Sequence, residues 1–382
     1  MKNKILIVTT VPGTLESILR YQPKHLSKTF DVNIASSPSL GKVRKNEGVV
    51  CFDVPMHRGI SPFKDIFSII NLIRIIVCVK PDIVHSYTPK AGLVAMLAAY
   101  ICRTPVRIHT FTGLIFPTCT GFKKKLLMFF DKFICLLATT IIPEGNGVRK
   151  DLIKYKITSK DLQVLGNGNI AGVDTYFFKK EHVSIEAANL RKSFSIPESA
   201  FVFCFVGRLT LEKGISELLT AFEQMNENTH LLIVGSQDAR LPLPNDLFQK
   251  LNNHSRIHLT GFIDDIRPAL AASNTLVLPS YREGFPNTPL QAGSMQIPCI
   301  VSNISGCNEI VANGINGWLV QPKCSHSLLL AMNKAIKSKN LSEMGVQARA
   351  LVKQKFEKEK YLQLLEEFYI SKLNEVEIIK YD

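Results

Sequence analysis

Two segments in the C-terminal half of the chain concentrate residue types that bind anions and orient hydroxyl groups. In FVGRLTLEKG, residues 205–214, an aromatic and β-branched run stops at Val206 and Gly207 permits a tight turn. Arg208 then leaves the strand end, and Lys213 stands at the expected start of a helix over roughly 214–227. Two cations and a helix N-terminus in one small volume make a diphosphate site, because dipole, backbone N–H groups and fixed charge favour the same anion. The plainer account is two solvated loop cations. In YREGFPNTPLQAGSMQIPCIVS, residues 281–302, Glu283 follows another strand and Gly284 lets the backbone approach a ligand. A carboxylate there can accept hydrogen bonds from two sugar hydroxyls. Phe285, Pro286 and Asn287 form a rigid turn, after which a helix is expected with Thr288 as N-cap and Pro289 at its first position. Its free N–H groups suit phosphate oxygens or sugar hydroxyls. Thr288-x-x-Gln291 also fits a capping box, so Gln291 either closes the helix start or touches ligand.

These residues need strand ends and helix starts to position them, and the patterning supplies both. Strand-like runs lie at 4–9, 32–36, 49–54, 83–85, 106–110, 140–142 and 162–165. Helical patterns at 17–29, 63–79, 91–102 and 123–138 alternate with them, which predicts a parallel sheet covered on both faces. GNGNIAGVDTYFF, residues 166–178, breaks the rhythm with three glycines and reads as an interdomain linker. The alternation restarts with strands at 201–206, 231–234, 257–259, 275–278, 299–302 and 318–320, and a charged helix is expected from 356 to about 376. The expected organisation is therefore α/β, with two Rossmann-like domains facing across a cleft. The two domains are expected over residues 1–170 and 171–360, followed by a helix over 361–382 that lies across a surface.

Composition narrows the class. The chain has 382 residues, 46% apolar and 20% charged, as a two-core globular protein requires. Nine cysteines without a C-x-x-C pair suit a reducing compartment. The apolar run 5–8 is too short for a secretory signal, and neither 66–79 nor 126–142 offers an uninterrupted spanning segment. The net charge of +14 lies wholly in residues 1–170, which carry 24 Lys and Arg against 10 Asp and Glu. Charge of this kind either aids solubility or meets an anionic partner. With no nucleic-acid motif present, a membrane surface or a phosphorylated acceptor is the stronger partner. Lys123, Lys124 and Lys125 precede Leu126, Leu127, Phe129, Phe130 and Phe133, the pattern of an interfacial helix or of ordinary core burial.

The G-R-x-x-x-E-K-G pattern and the E-G-F-P-N…A-G…P stretch together resemble family 4 of the retaining glycosyltransferases, with the GT-B fold. The likeness covers nearly the whole chain, and it implies an acceptor-binding domain over 1–170, a nucleotide-sugar-binding domain over 171–360 and a helix over 361–382 that packs back toward the first. It implies transfer of a hexose or N-acetylhexosamine from a nucleotide-diphosphate sugar, with a UDP-sugar the expected donor. Arg208 and Lys213 would meet the donor diphosphate and Glu283 the donor sugar, with main-chain contacts from Phe285, Pro286, Asn287 and Thr288. Gly207 completes the turn before Arg208, while Gly235 and the Gly261-Phe262-Ile263 turn would border the nucleotide base. Gln291 departs from the family, which has a glutamate there holding the ribose. In the N-terminal domain the likeness points to Gly13 in the loop after the first strand. It also points to Thr112, which replaces the family's histidine before Gly113. His109 then reads as a packed strand residue and His85 as a strand-end candidate. HTFTG and YTPKAG, residues 109–113 and 87–92, resemble bacterial surface-polysaccharide transferases, so a polyprenyl-diphosphate-linked saccharide is the expected acceptor.

Asp264-Asp265 is not a D-x-D motif, and no metal or other cofactor is expected. The expected location is cytoplasmic, peripheral on the inner face of the cell membrane. A sugar-nucleotide epimerase of the same architecture is the alternative. A nicotinamide dehydrogenase lacks its G-x-G-x-x-G, and a two-lobed exported sugar-binding protein lacks its signal.

Overall fold

A computed structural model describes residues 2–57, 59 and 61–379. The chain divides into two compact units, Met1–Gly172 with Glu359–Asp382, and Val173–Lys358. In the first unit, β1 (Lys4–Thr9), β2 (Asp31–Ser36), β3 (Val50–Asp53), β4 (Ile83–Tyr87), β5 (Val106–Phe111) and β6 (Thr140–Pro143) form one parallel sheet. Its order is β3-β2-β1-β4-β5-β6. In the second, β7 (Phe201–Val206), β8 (Thr229–Val234), β9 (Ile257–Gly261), β10 (Thr275–Leu278), β11 (Cys299–Ser302) and β12 (Gly317–Val320) form another parallel sheet. Its order is β12-β11-β10-β7-β8-β9. The central strands are buried on both faces, which is why they read as unbroken apolar runs rather than alternating ones. Each sheet reverses its winding between its first and fourth strands, β1 and β4 or β7 and β10, and a doubly wound sheet opens its ligand crevice at that reversal.

In the first unit the helix Pro89–Ile101 lies between helices Pro62–Val79 and Gly121–Leu137. Ala91, Gly92, Ala95, Ala98 and Ala99 keep it thin enough to sit close on the sheet. A Cβ on Gly92 would stand 2.4 Å from the His109 ring. The final helix, Lys358–Ile379, supplies Tyr361, Leu365, Phe368 and Tyr369 to the first unit's core. The two chain crossings are tied together within the second unit. Val173 bridges Glu357, whose carboxylate accepts from the Thr175 N–H at 3.3 Å and hydroxyl at 2.5 Å.

Three local expectations fail for identifiable reasons. Residues 162–165 form no strand: Leu162 makes one isolated bridge to Ile141. The helix expected over 17–29 is two short ones, Pro12–Ser17 and Gln22–Leu26, broken where Tyr21 takes φ 65° and Pro23 follows. The helix expected over 214–227 runs only from Ile215 to Phe222, because Gly214 (φ 72°) is its cap.

Candidate functional site

The two chemistry-bearing segments leave β7 and β10, the adjacent strands at the second sheet's reversal. After Val206, the Gly207 N–H donates to Val234 O (2.9 Å) and the Leu209 N–H to Ser236 O (3.0 Å), so the loop after β7 runs beside the loop after β8. A single 3-10 turn, Leu211–Lys213, precedes Gly214. A Cβ on Gly214 would lie 2.1 Å from Pro279 O, which seats this turn directly against the segment after β10. The Tyr281 N–H donates to Glu212 O (2.8 Å) and the Tyr281 hydroxyl to Glu217 Oε1 (2.6 Å), tying the same two segments together.

That packing brings Lys213 Nζ to 2.5 Å from Glu283 Oε1, with side chains only 21% and 12% exposed. The expected diphosphate ligand and the expected sugar ligand thus meet as one sheltered ion pair. Cys307 is buried nearby, and burial, with a further push from the Glu283 charge, raises its thiol well above the usual range. It is a packing residue. Gly306 (φ 78°) lets this loop touch the turn after Glu283, since a Cβ there would fall 2.1 Å from Gly284 O. Phe285 is buried against Phe356, with ring centroids 5.4 Å apart, so its side chain is a packing group.

The helix after Glu283 begins two residues earlier than expected. It spans Asn287–Ser294 with Pro286 as its N-cap. Thr288 is therefore inside the first turn, and Gln291 is too far along to close a capping box. Gln291 is half-buried and its side chain makes no hydrogen bond among the described residues.

Arg208 does not join the Lys213–Glu283 pair. Its Nη1 donates to Asp238 Oδ2 (2.5 Å), a residue of the loop after β8 that no sequence motif singled out. Beside it, Gly207, Gly235 and Gly261 follow or end β7, β8 and β9. Gly235 adopts φ 136°, and a Cβ would stand 2.0 Å from Gly207 O. The Gly235 N–H donates to Gly261 O (2.9 Å). Phe262 is 74% exposed and Ile263 packs on the core. The expected donor-side residues of the second unit thus leave four neighbouring strands, β10, β7, β8 and β9, at one sheet edge.

The first unit is different. Gly13 lies not in a loop but in the first turn of the helix Pro12–Ser17, with nothing within 4 Å of where a Cβ would be. Thr112 follows β5 and is half-buried. His85 is withdrawn from any ligand: it is fully buried, with Nδ1 2.6 Å from the Tyr369 hydroxyl and Nε2 2.7 Å from Thr110 Oγ1. His109 pairs with the Ser86 hydroxyl at 2.8 Å, and burial pushes its imidazole down to about 3. Both histidines stay neutral packing residues. At the first sheet's reversal, Thr10 and Thr88 share a hydrogen bond of 2.6 Å, and the Ala91 N–H donates to Thr10 Oγ1 (3.2 Å). Thr88 takes φ 77°, a costly conformation for a β-branched residue. A surface cavity of about 540 Å³ lined by Lys2, Thr29, Phe30, Ile370 and Leu373 lies at the amino end of β1, the wrong edge for a ligand site of this fold.

Two Rossmann-like units of the same strand order, with charged pairs at the reversal of the second, define the GT-B class of fold. In Anabaena HepE, solved in complex with UDP and glucose, the same fold recurs with a TM-score of 0.82 at 18% identity, over 97% of this chain and 100% of that one. The sequence model for Glycosyltransferase Family 4 matches residues 18–169, and that for Glycosyl transferases group 1 matches residues 186–350. The capsular polysaccharide biosynthesis glycosyltransferase CapM of Staphylococcus aureus is 30% identical over 99% of this chain and 100% of its own. The Escherichia coli UDP-Gal:alpha-D-GlcNAc-diphosphoundecaprenol alpha-1,3-galactosyltransferase is 30% identical over 90% of both chains. The chain belongs to the family 4 glycosyltransferases, and it is an enzyme of that class. The epimerase alternative finds no support in these relatives.

Proposed function

We propose that this enzyme transfers a hexose or N-acetylhexosamine, with retention, from a UDP-sugar to a polyprenyl-diphosphate-linked saccharide in surface polysaccharide synthesis. The observation that carries the reading is the Lys213–Glu283 pair at the β7/β10 reversal. It sets a cation and a carboxylate side by side, as a sugar–phosphate linkage requires. The Escherichia coli relative is named for both a UDP-sugar donor and a diphosphoundecaprenol acceptor. In the proposed reaction the anomeric carbon–oxygen bond to the diphosphate breaks. The acceptor hydroxyl attacks from the same face, and its proton passes to the departing phosphate oxygen. Negative charge grows on the diphosphate, where Arg208, Lys213 and the N–H groups of Phe285, Asn287 and Thr288 stabilise it. Gly207, Gly235 and the Gly261–Ile263 turn border the nucleotide, Gln291 contacts its ribose, and Gly13 and Thr112 are further donor contacts. No metal enters this scheme, so EDTA should leave turnover unchanged.

The protein is also proposed to work on the inner, anionic face of the cell membrane. No helix among the described residues is long and apolar enough to cross a membrane. Two helices of the first unit nevertheless expose apolar stripes on one face of the sheet. Gly121–Leu137 exposes Phe122, Phe129 and Leu136 at successive heptad positions, with Lys125 and Lys132 between them. Pro62–Val79 exposes Phe63, Ile66, Phe67, Ile70 and Val77 beside Lys64 and Arg74. Aromatic residues alternating with lysines suit an interfacial depth, and each cation at an anionic surface contributes about 1 kcal/mol. The test of the whole reading is a panel of UDP- and GDP-sugars offered with a polyprenyl-diphosphate-linked saccharide. Transfer from a UDP-sugar that requires the acceptor is expected. Epimerised donor formed without acceptor would overturn it.

A further inference from the structure

The ion pair on Arg208 has a construction that the proposed donor chemistry does not by itself require. Asp238 sits three residues beyond Gly235, and Leu209 bridges Gln237, so the loops after β7 and β8 are held in register past the ends of their strands. The Leu241 N–H donates to Asp238 O (2.9 Å) and the Leu243 N–H to Gln237 Oε1 (3.1 Å), which folds the Asp238 loop back on itself. The Asp238 carboxylate is 8% exposed, whereas the Arg208 and Arg240 side chains are 58% and 54% exposed.

Every acceptor site of that carboxylate is taken. Oδ1 accepts from the Arg240 main-chain N–H (3.0 Å) and from Arg240 Nε (3.3 Å). Oδ2 accepts from Arg240 Nη2 (3.3 Å) and from Arg208 Nη1 (2.5 Å). A carboxylate offers about four lone-pair sites, so none is left for a ribose or sugar hydroxyl. Bonds from Arg240 and then Arg208 hold the carboxyl at about 2, and it is ionised at any working pH. Arg208, by contrast, spends one of its five N–H donors on Asp238 and keeps Nε and Nη2 for another anion.

We infer that Asp238, clamped by Arg240, is the positioning residue that holds the Arg208 guanidinium ready for the donor diphosphate without touching the donor itself. The inference rests on the assignment of Arg208 to the diphosphate made above. A half-exposed arginine carries rotamer entropy that a ligand would otherwise have to freeze. A fixed carboxylate removes part of that cost before the donor arrives, and preorganised charge acts on the transition state without reorganisation. Lys213 is pinned in the same way by Glu283, but there the carboxylate is itself a proposed sugar ligand. Asp238 separates positioning from contact.

The experiment compares Asp238→Asn, Arg208→Ala and the double variant in kcat and donor KM, with melting temperature as the control for folding. Asp238→Asn is expected to lower kcat about tenfold, as a misplaced catalytic group does, with a smaller change in KM and no loss of melting temperature. In the Arg208→Ala background the same change should cost nothing further. A full tenfold loss on top of Arg208→Ala, or an unchanged kcat in Asp238→Asn while Arg208→Ala is impaired, overturns the positioning role and leaves the diphosphate assignment standing. Wild-type kcat in Arg208→Ala overturns both. Should Asp238→Asn melt early, Arg240→Ala carries the same comparison, because it leaves the carboxylate and removes only its clamp. A smaller kcat loss, again absent in the Arg208→Ala background, is expected there, and one that persists in that background overturns the role.

Discussion

The two units share one strand order and use it differently. In the second, the reversal and its neighbouring strand ends carry charged groups in carboxylate-paired arrangements, Lys213 with Glu283 and Arg208 with Asp238. In the first, the corresponding edge carries hydroxyls, Thr10 and Thr88, and its two strand histidines are buried and neutral. Its excess positive charge is spread over the surface instead, alongside two apolar stripes. One unit carries paired charge at its strand ends, and the other carries hydroxyls there and exposes apolar helix faces. Strand order sets where a site lies, and the loops after the strands set what it does.

The largest expected effect lies on the charged edge. Lys213→Ala or Arg208→Ala should each lower kcat by about a hundredfold, about 2.7 kcal/mol of transition-state stabilisation. Steady-state turnover with the preferred UDP-sugar checks this, and unimpaired turnover in both variants would erase the distinction between the units. Next comes the backbone that builds the edge. Gly235→Ala must place a Cβ against Gly207 O at φ 136°, and it should destabilise the second unit by about 2 kcal/mol or more. A thermal melt that is unshifted by this change would mean the β7 and β8 loops are not in contact.

The first unit's contribution should appear on lipid rather than in chemistry. Phe122→Ser, Phe129→Ser and Leu136→Ser together should weaken binding to anionic vesicles by about tenfold or more, with turnover on a short-chain soluble acceptor unchanged. Vesicle sedimentation at low and high salt measures it, and salt-independent or absent binding of the wild type would remove the membrane half of the comparison. The smallest effect is titration of the second unit. His230 Nδ1 and His258 Nε2 lie 2.9 Å apart, and burial first, then neighbouring positive charge, lowers both, His258 to about 4. The unfolded chain takes up these protons near 6.5, so the stability from keeping both neutral is complete above that pH. It is lost as pH falls from there toward 4. Melting curves across that window should show a decline that His258→Gln reduces.

Much of this was legible in the sequence, and the exceptions have physical reasons. The strands of both sheets were readable because parallel strands buried on both faces must be apolar throughout, as Ile5–Val8 and Phe201–Val206 are. Residues 162–165 break that composition at Gln163, and only Leu162 pairs, in one isolated bridge to Ile141. The helix start at Asn287 is masked in the sequence because Thr288 and Gln291 match a capping box by spacing alone, while Pro286 already supplies the extended cap. Arg208, Lys213 and Glu283 were visible as motifs. Asp238 was not, because its partnership exists only once β7 and β8 are neighbours in space. Thr88 had a partial signal: Pro89 disfavours a helical conformation before it, yet its φ of 77° is fixed by the tertiary contact with Thr10.

The decisive structure is that of the enzyme crystallised with UDP. The diphosphate is expected at the carboxyl ends of β7 and β10, with Lys213 Nζ moved from Glu283 onto its oxygens and Arg208 bonded to it while still held by Asp238. UDP seated elsewhere, with Lys213 still on Glu283 and the free face of Arg208 in solvent, would contradict it.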